Sequence, residues 1–240
     1  MQTYGALTAL VWGALGGGYF EKATVGAIPG TAADFLQFLA QLRLSTQSDI
    51  DQTAVEIIEN ELLKGSVALL SSEASPEVVF RPHGFSQSWP IEAAATSAAE
   101  LAPLVLYLRH HAAPRDAVFI DEPEAHFHPA SQVALARALS AASAELQGLM
   151  IATHSEFLVG ELSNLLLEQF AADGQGSLFS RSGLQVYEFK VASPRTGVCV
   201  ERLDIDPSAG FEIEQFSQVA DTTYRRAVTL FNAIHATEDE

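Results

Sequence analysis

The chain has 240 residues, 48% hydrophobic and 18% charged, which supports a sizeable core in one large domain or a domain with a small appendage and excludes general disorder. Its formal net charge of -17, with no Lys/Arg cluster, argues against strong nonspecific binding to nucleic-acid backbones or anionic lipid. The single cysteine, Cys199, rules out an intrachain disulfide and a cysteine zinc site, and fits a reducing, cytoplasmic setting.

Tyr4 to Phe20 is almost free of charge, but it contains Gly13, Gly16, Gly17 and Gly18, and no Lys or Arg precedes it. A membrane helix needs about 20 apolar residues and a secretory signal needs a basic start, so a buried or partner-covered helix is the preferred reading. Residues 5–63 read as helical. Ile28-Pro29-Gly30-Thr31 forms a turn with Thr31 as cap, and Phe35, Phe38, Leu39 and Leu42 mark one helical face. Gln47 to Gln52 is a polar break before a helix over Ala54–Leu63. The period then shortens: Ser66–Ser71, Glu77–Arg81 and Phe85–Ile91 read as short strands of a small antiparallel section.

Ser97-Ala98-Ala99-Glu100 has capping-box spacing, with Leu101, Leu104, Val105 and Leu108 on one face. Pro103 points to a helix start a few residues later. A strand over 117–121, a helix from about Ser131, a strand over 149–153 and a helix over 156–170 follow. This βαβα alternation predicts a parallel sheet with covering helices. Residues 173–183 form a Gly/Ser-rich loop, Gln185–Val191 and Val198–Ile205 a hairpin, and 216–235 a final amphipathic helix.

The chemistry lies at two strand ends. Ala117-Val118-Phe119-Ile120 runs into Asp121-Glu122, and Leu149-Met150-Ile151-Ala152 runs into Thr153-His154. Continuous apolar runs predict strands covered on both faces, and ligands of open α/β sheets sit outside the strands' carboxyl ends. Asp121 suits a Mg²⁺ held through water, because that ion prefers oxygen ligands and retains its waters. Glu122 is placed to orient and deprotonate an attacking water, and His154 to meet a terminal phosphate. The bland alternative makes Asp121 and Glu122 a turn cap before Pro123. His126 and His128 form an H-x-H pair in a predicted loop, where shaping a contact is preferred over metal binding. His110 and His111 end a helix and suit its C-terminal dipole, and Cys199 reads as core rather than nucleophile.

Val118 to Pro129 resembles the Walker B and D-loop segment of ABC-type ATPases, nearest the OLD-like and SMC-like "AAA" proteins of prokaryotes that share Asp-Glu-Pro-Glu-Ala-His-x-His-Pro. Ile151 to Ser155 resembles their H-loop, and Thr96 to Leu104 their degenerate signature segment. The likeness is strongest over residues 91–160. It is weaker over 23–42, where Gly26-Ala27-Ile28-Pro29-Gly30 and Ala33-Asp34-Phe35-Leu36 resemble the lead-in to an inserted arm. The resemblance implies an α/β, P-loop NTPase-like (ABC ATPase-type) partial parallel sheet with covering helices. A helical arm and small antiparallel β section would occupy 1–90, and the C-terminal part of the ATPase domain 91–240. It implies ATP and Mg as cofactors. Asp121 would be the Mg-linked aspartate, Glu122 the catalytic glutamate, His154 the switch histidine, and Thr96 and Ser97 the signature hydroxyls. His126 would lie in the D-loop beside the nucleotide. Ala98 and Ala99 depart from the glycine-rich signature and crowd a backbone approach to phosphate.

The phosphate-gripping pattern G-x-x-x-x-G-K-[ST] does not occur; the nearest run, Gly13 to Lys22, has no glycine before the lysine and no hydroxyl after it. The resemblance therefore implies the C-terminal portion of a longer or split ATPase. It would act as a homodimer or with a complementary chain that supplies the loop, and would be weak or inactive alone. Two further readings remain. One is a catalytically silent module partnering an effector such as a nuclease or toxin. The other is a metal-dependent hydrolase built on Asp121, Glu122, His126, His128 and His154.

Overall fold

The computed structural model describes residues 48–70, 77–172, 183–193 and 197–235. The expected helix face at Phe35–Leu42, the Thr31 cap, the apolar run 4–20 and nearly all of the Gly/Ser-rich loop lie outside those residues.

The described chain starts beside the end of a later helix: the Ser48 and Asp49 amides donate to the carbonyls of Arg109 and Ala112 at 3.0 and 3.2 Å. Helix α1 (Thr53–Ile57) continues as a π-helical run over Ile58–Leu63, and Lys64 ends it in the left-handed region at φ 50°. Strand β1 (Gly65–Leu70) pairs antiparallel with β2 (Glu77–Pro82), and β2 pairs with β3 (Trp89–Pro90). The strand expected over Phe85–Ile91 is therefore reduced to two residues. His83 and Gly84, the latter at φ +82°, turn the chain, and Phe85 is exposed with its ring edge-on to Trp89 at 5.8 Å.

Helix α2 (Thr96–His110) corrects two expectations. The Ser97–Glu100 capping box does not form: Ala95 is the N-cap, in an extended conformation with no side-chain cap bond, and Ser97 already lies inside the helix. Pro103 does not delay the start but sits within the helix. An interior proline costs about 3 kcal/mol. Burial of Leu101, Val105, Leu106 and Leu108, each worth roughly 2 kcal/mol, outweighs that.

Strand β4 (Ala117–Asp121), helix α3 (Pro129–Glu145), strand β5 (Gly148–Ala152) and helix α4 (Glu156–Ala171) realise the expected βαβα order. The β4–β5 pairing is parallel, in the register Ala117↔Gly148 to Asp121↔Ala152. Helix α3 is the hub. Ala134, Leu135, Ala136, Ala138, Leu139, Ser140, Ala142 and Ser143 are all buried, and the small residues among them let α1, α4 and the π-helical run pack close. One apolar cluster runs from Ile50 and Val67 through Leu106 and Leu135 to Leu158 and Leu165.

Their continuous apolar sequence suggested strands covered on both faces; among the described residues only one face is covered. Val118, Ile120, Leu149 and Ile151 pack against the core cluster, whereas Phe119 and Met150, neighbours in the register, are 63% and 65% exposed. Among the described residues, helices cover one face of this sheet and nothing covers the other.

Beyond α4, β6 (Tyr187–Ser193) and β7 (Gly197–Arg202) make the expected hairpin, and helix α5 (Glu214–His235) follows. One hairpin face carries Lys190 between Glu188 at 3.0 Å and Glu201 at 2.8 Å, and Phe189, Val191, Val198 and Val200 are exposed on the other. Cys199 is half-buried rather than core, its Sγ 3.5 Å from the Lys190 carbonyl. Among the described residues no helix is long and apolar enough to cross a membrane.

Candidate nucleotide site

The parallel register places the two chemistry-bearing strand ends side by side. Asp121 is the last residue of β4, opposite Ala152 at the end of β5. The Glu122 amide donates to the Ala152 carbonyl at 2.8 Å, carrying the ladder one step past the strand. Glu122 then adopts φ +46° and His126 φ +67°. Non-glycine residues in that region store strain of about 1–3 kcal/mol, which persists only where the surroundings fix it. The turn between them is closed by Ala125 N donating to Glu122 O at 3.0 Å and Phe127 N to Glu124 O at 3.1 Å.

The turn brings Glu122 to His154, with Oε1 and Nε2 3.6 Å apart. That spacing is an ion-pair contact when the imidazole is protonated and is too long for a hydrogen bond. His154 is 87% exposed and the Glu122 side chain 48%, so both groups face an open space beyond the strand ends. Asp121, the residue before Glu122, is exposed at the end of β4. Exposed carboxylates can hold a cation through water or take a proton, and a protonated imidazole beside them can donate to a phosphate oxygen.

His126 lies apart from this cluster. Its Nε2 is 3.6 Å from Glu100 Oε1, on the first turns of α2. Burial pushes the Glu100 carboxyl above its ordinary value, and the His126 charge partly offsets the push. The exposed Thr96 and half-buried Ser97 open the same helix. His128 is the N-cap of α3, its Nδ1 accepting from Ala130 N at 3.3 Å, with Pro129 at the first helical position. Its imidazole thus serves the helix end. Among the described residues no group of three or more His, Cys, Asp or Glu side chains is arranged to hold a metal ion. The five-residue metal centre weighed from the sequence is not assembled.

Sequence reasoning missed the groups that brace the site. Glu124, 7% exposed, accepts from Thr153 Oγ1 at 2.6 Å and from His154 N at 2.9 Å. Thr153 Oγ1 in turn accepts from Ser155 N at 3.0 Å. Ser155 caps α4 by accepting from Leu158 N at 2.9 Å and donates to Gln132 Oε1 on α3. Gln132 Nε2 closes the circuit on the Phe127 carbonyl at 2.9 Å. A serine just before an apolar helical period is an N-cap signal, so Ser155 was findable; the cross-strand bonds of Glu124 carry no local signature.

Residues 18–160 match the model of a family described as "AAA domain, putative AbiEii toxin, Type IV TA system". No curated protein matches. Among solved structures, the chain is similar to one from a study of ATP-driven dimerization and DNA-stimulated activation of SMC ATPases, with TM-score 0.43 and 18% identity over 64% of this chain and 82% of that one. It is also similar to the SmcHead bound to the C-winged helix domain of ScpA, with TM-score 0.43 and 14% identity over 88% of this chain and 51% of that one. A third is the Pyrococcus furiosus Smc head domain with an extended coiled coil bound to the C-terminal domain of ScpA, with TM-score 0.41 and 15% identity over 81% and 43%. The chain spans about half the length of these last two or less.

Proposed function

The chain belongs to this AAA-domain family, matched over residues 18–160, and from that premise we propose that it contributes the carboxylate-and-histidine side of a Mg-dependent, ABC-type ATP-hydrolysing site. The observation that carries the reading is the meeting of Asp121-Glu122 and His154 at adjacent ends of two parallel strands, with Glu122 and His154 3.6 Å apart. Open α/β sheets bind ligands at that place. A single exposed carboxylate fits Mg²⁺, which takes one or two carboxylates plus phosphate oxygens and keeps its waters. Asp121 is the residue that holds it in this proposal. Bound Mg²⁺ neutralises charge developing on the phosphate oxygens.

The remaining roles belong to the chain. Glu122, held at the strand end by its amide bond to Ala152, orients a water and takes its proton. His154, when protonated, donates a hydrogen bond from Nε2 to the terminal phosphate. Thr96 and Ser97, at the N-terminal turn of α2, offer hydroxyls to a phosphate held by a second subunit, and His126, beside Glu100 of the same helix, faces that subunit's nucleotide. The phosphate-gripping loop is supplied by a second element or chain. The setting in this reading is cytoplasmic.

The test is a titration of the purified chain with Mg·ATP, with Asp121→Asn as control. We expect weak, Mg-dependent binding that falls at least about tenfold in the variant, the loss typical of removing one ion-holding group, and negligible turnover. Affinity unchanged by Asp121→Asn, or no binding at millimolar Mg·ATP, sinks the site reading. It leaves a silent module of the same fold that partners an effector such as a nuclease or toxin. Turnover comparable to an intact ATPase and abolished by Glu122→Gln overturns the need for a second element.

A further inference from the structure

Glu124, 7% exposed, is the only buried Asp, Glu, Lys or Arg among the described residues. A carboxylate taken out of water costs several kcal/mol unless donors or a cation compensate it. Here one oxygen has two donors, Thr153 Oγ1 and His154 N, while the other, Oε2, is buried with no donor among the described residues.

Its connections run between the two halves of the site. Glu124 lies two residues after Glu122, within the turn whose backbone is strained at Glu122 and His126. Its bonds reach 29 and 30 residues along the chain to the segment that ends β5 and carries His154. A bond to the His154 main-chain amide fixes where that residue leaves the strand, and so where its imidazole starts. We propose that Glu124 is a positioning residue. Its buried carboxylate locks the turn bearing Glu122 to the backbone of His154 and thereby sets the Glu122–His154 spacing. This deepens the ATPase reading of the same site and rests on it for its functional meaning, but the lock itself involves no nucleotide.

The test follows the nucleotide-free chain by NMR. Amide exchange is measured at Thr153, His154 and Ser155, together with the nuclear Overhauser contact between the Glu122 and His154 side chains. Glu124→Ala, Glu124→Gln and Thr153→Val are compared with the parent. Glutamine keeps an acceptor oxygen of the same reach. It retains His154 amide protection and the Glu122–His154 contact in this scheme. Alanine loses both, with His154 exchange faster by about tenfold or more, the scale of one lost hydrogen bond. Core amides such as Leu135 and Leu139 keep their protection. Thr153→Val leaves the His154 amide bond and keeps the side-chain contact, so the proposal stays testable if Glu124→Ala does not fold. Two results overturn it: His154 exchange unchanged in Glu124→Ala, or protection lost evenly across the core in both Glu124 variants. A chain that shows the lock but binds no Mg·ATP refutes the ATPase reading and leaves the lock standing.

Discussion

Removing the Ser155 hydroxyl tests the brace behind His154 most directly. Ser155 is 7% exposed, caps α4 through Leu158 N at 2.9 Å and donates to Gln132 Oε1. Replacing an N-cap serine by alanine costs about 1 kcal/mol. It also leaves the Gln132 carbonyl oxygen without its donor in a half-buried place, for roughly another 1–2 kcal/mol. Ser155→Ala therefore destabilises the chain by about 2–3 kcal/mol, a fall in melting temperature of roughly 4–12 °C for a domain of this length. Gln132→Ala gives up the same bond and the one to the Phe127 carbonyl at 2.9 Å. Because the two residues share one bond, their losses overlap. A double-mutant cycle by urea unfolding, followed by circular dichroism, returns a coupling of about 0.5–1.5 kcal/mol. Single costs that add within about 0.3 kcal/mol refute the reasoning, since independent sites behave that way. In that case Ser155 caps its helix without touching α3, and the circuit from Phe127 to His154 is open.

Two further outcomes follow from burial. Phe119 and Met150 are already 63% and 65% exposed in the described fold, so Phe119→Ser with Met150→Ser changes unfolding free energy by less than about 1 kcal/mol while lowering dye binding and self-association; a loss of several kcal/mol in urea denaturation means that the face is covered within the chain. Glu100 is held above its ordinary value of 4.5 by burial, so its folded form favours the proton more than its unfolded form does. Its stabilising contribution is complete below the unfolded value and is lost as pH rises through the folded one. Glu100→Gln therefore removes a pH-dependent loss in the mildly acid range, and parallel stability–pH curves for the two chains contradict this.

The legible parts of the molecule were those encoded by neighbours in sequence. The runs 117–120 and 149–152 gave both parallel strands to within a residue, and so the neighbouring placement of the acid pair and the histidine at their ends, because strand period is local. The short-range signals that failed met a competing local force. Ser97 and Glu100 have the spacing of a cap, yet Ala95 takes the extended conformation that starts the helix. Phe85–Ile91 alternates like a strand, yet Gly84 turns the chain and Pro90 lacks the amide a longer ladder needs. Glu124 was invisible for a different reason. Its value depends on the Asp121↔Ala152 register, which brings residue 124 to residue 154 and is a property of the folded sheet.

The open sheet face links these observations. A strand that is to lie half in water alternates apolar with polar residues. Strand β4 instead presents Val118, Phe119 and Ile120 in sequence, and β5 presents Leu149, Met150 and Ile151. The fold uses alternate members of each run for its core and leaves Phe119 and Met150 paired on the other side. The same surplus recurs on the β6–β7 hairpin, where Phe189, Val191, Val198 and Val200 share an exposed face opposite a charged one. Apolar residues grouped on a face that the described residues leave exposed form a surface suited to contact with a further element. Those on β4 and β5 stand on the strands that carry Asp121 and lead to His154. An element that covers Phe119 and Met150 therefore settles beside the strand ends that lead to Asp121 and His154.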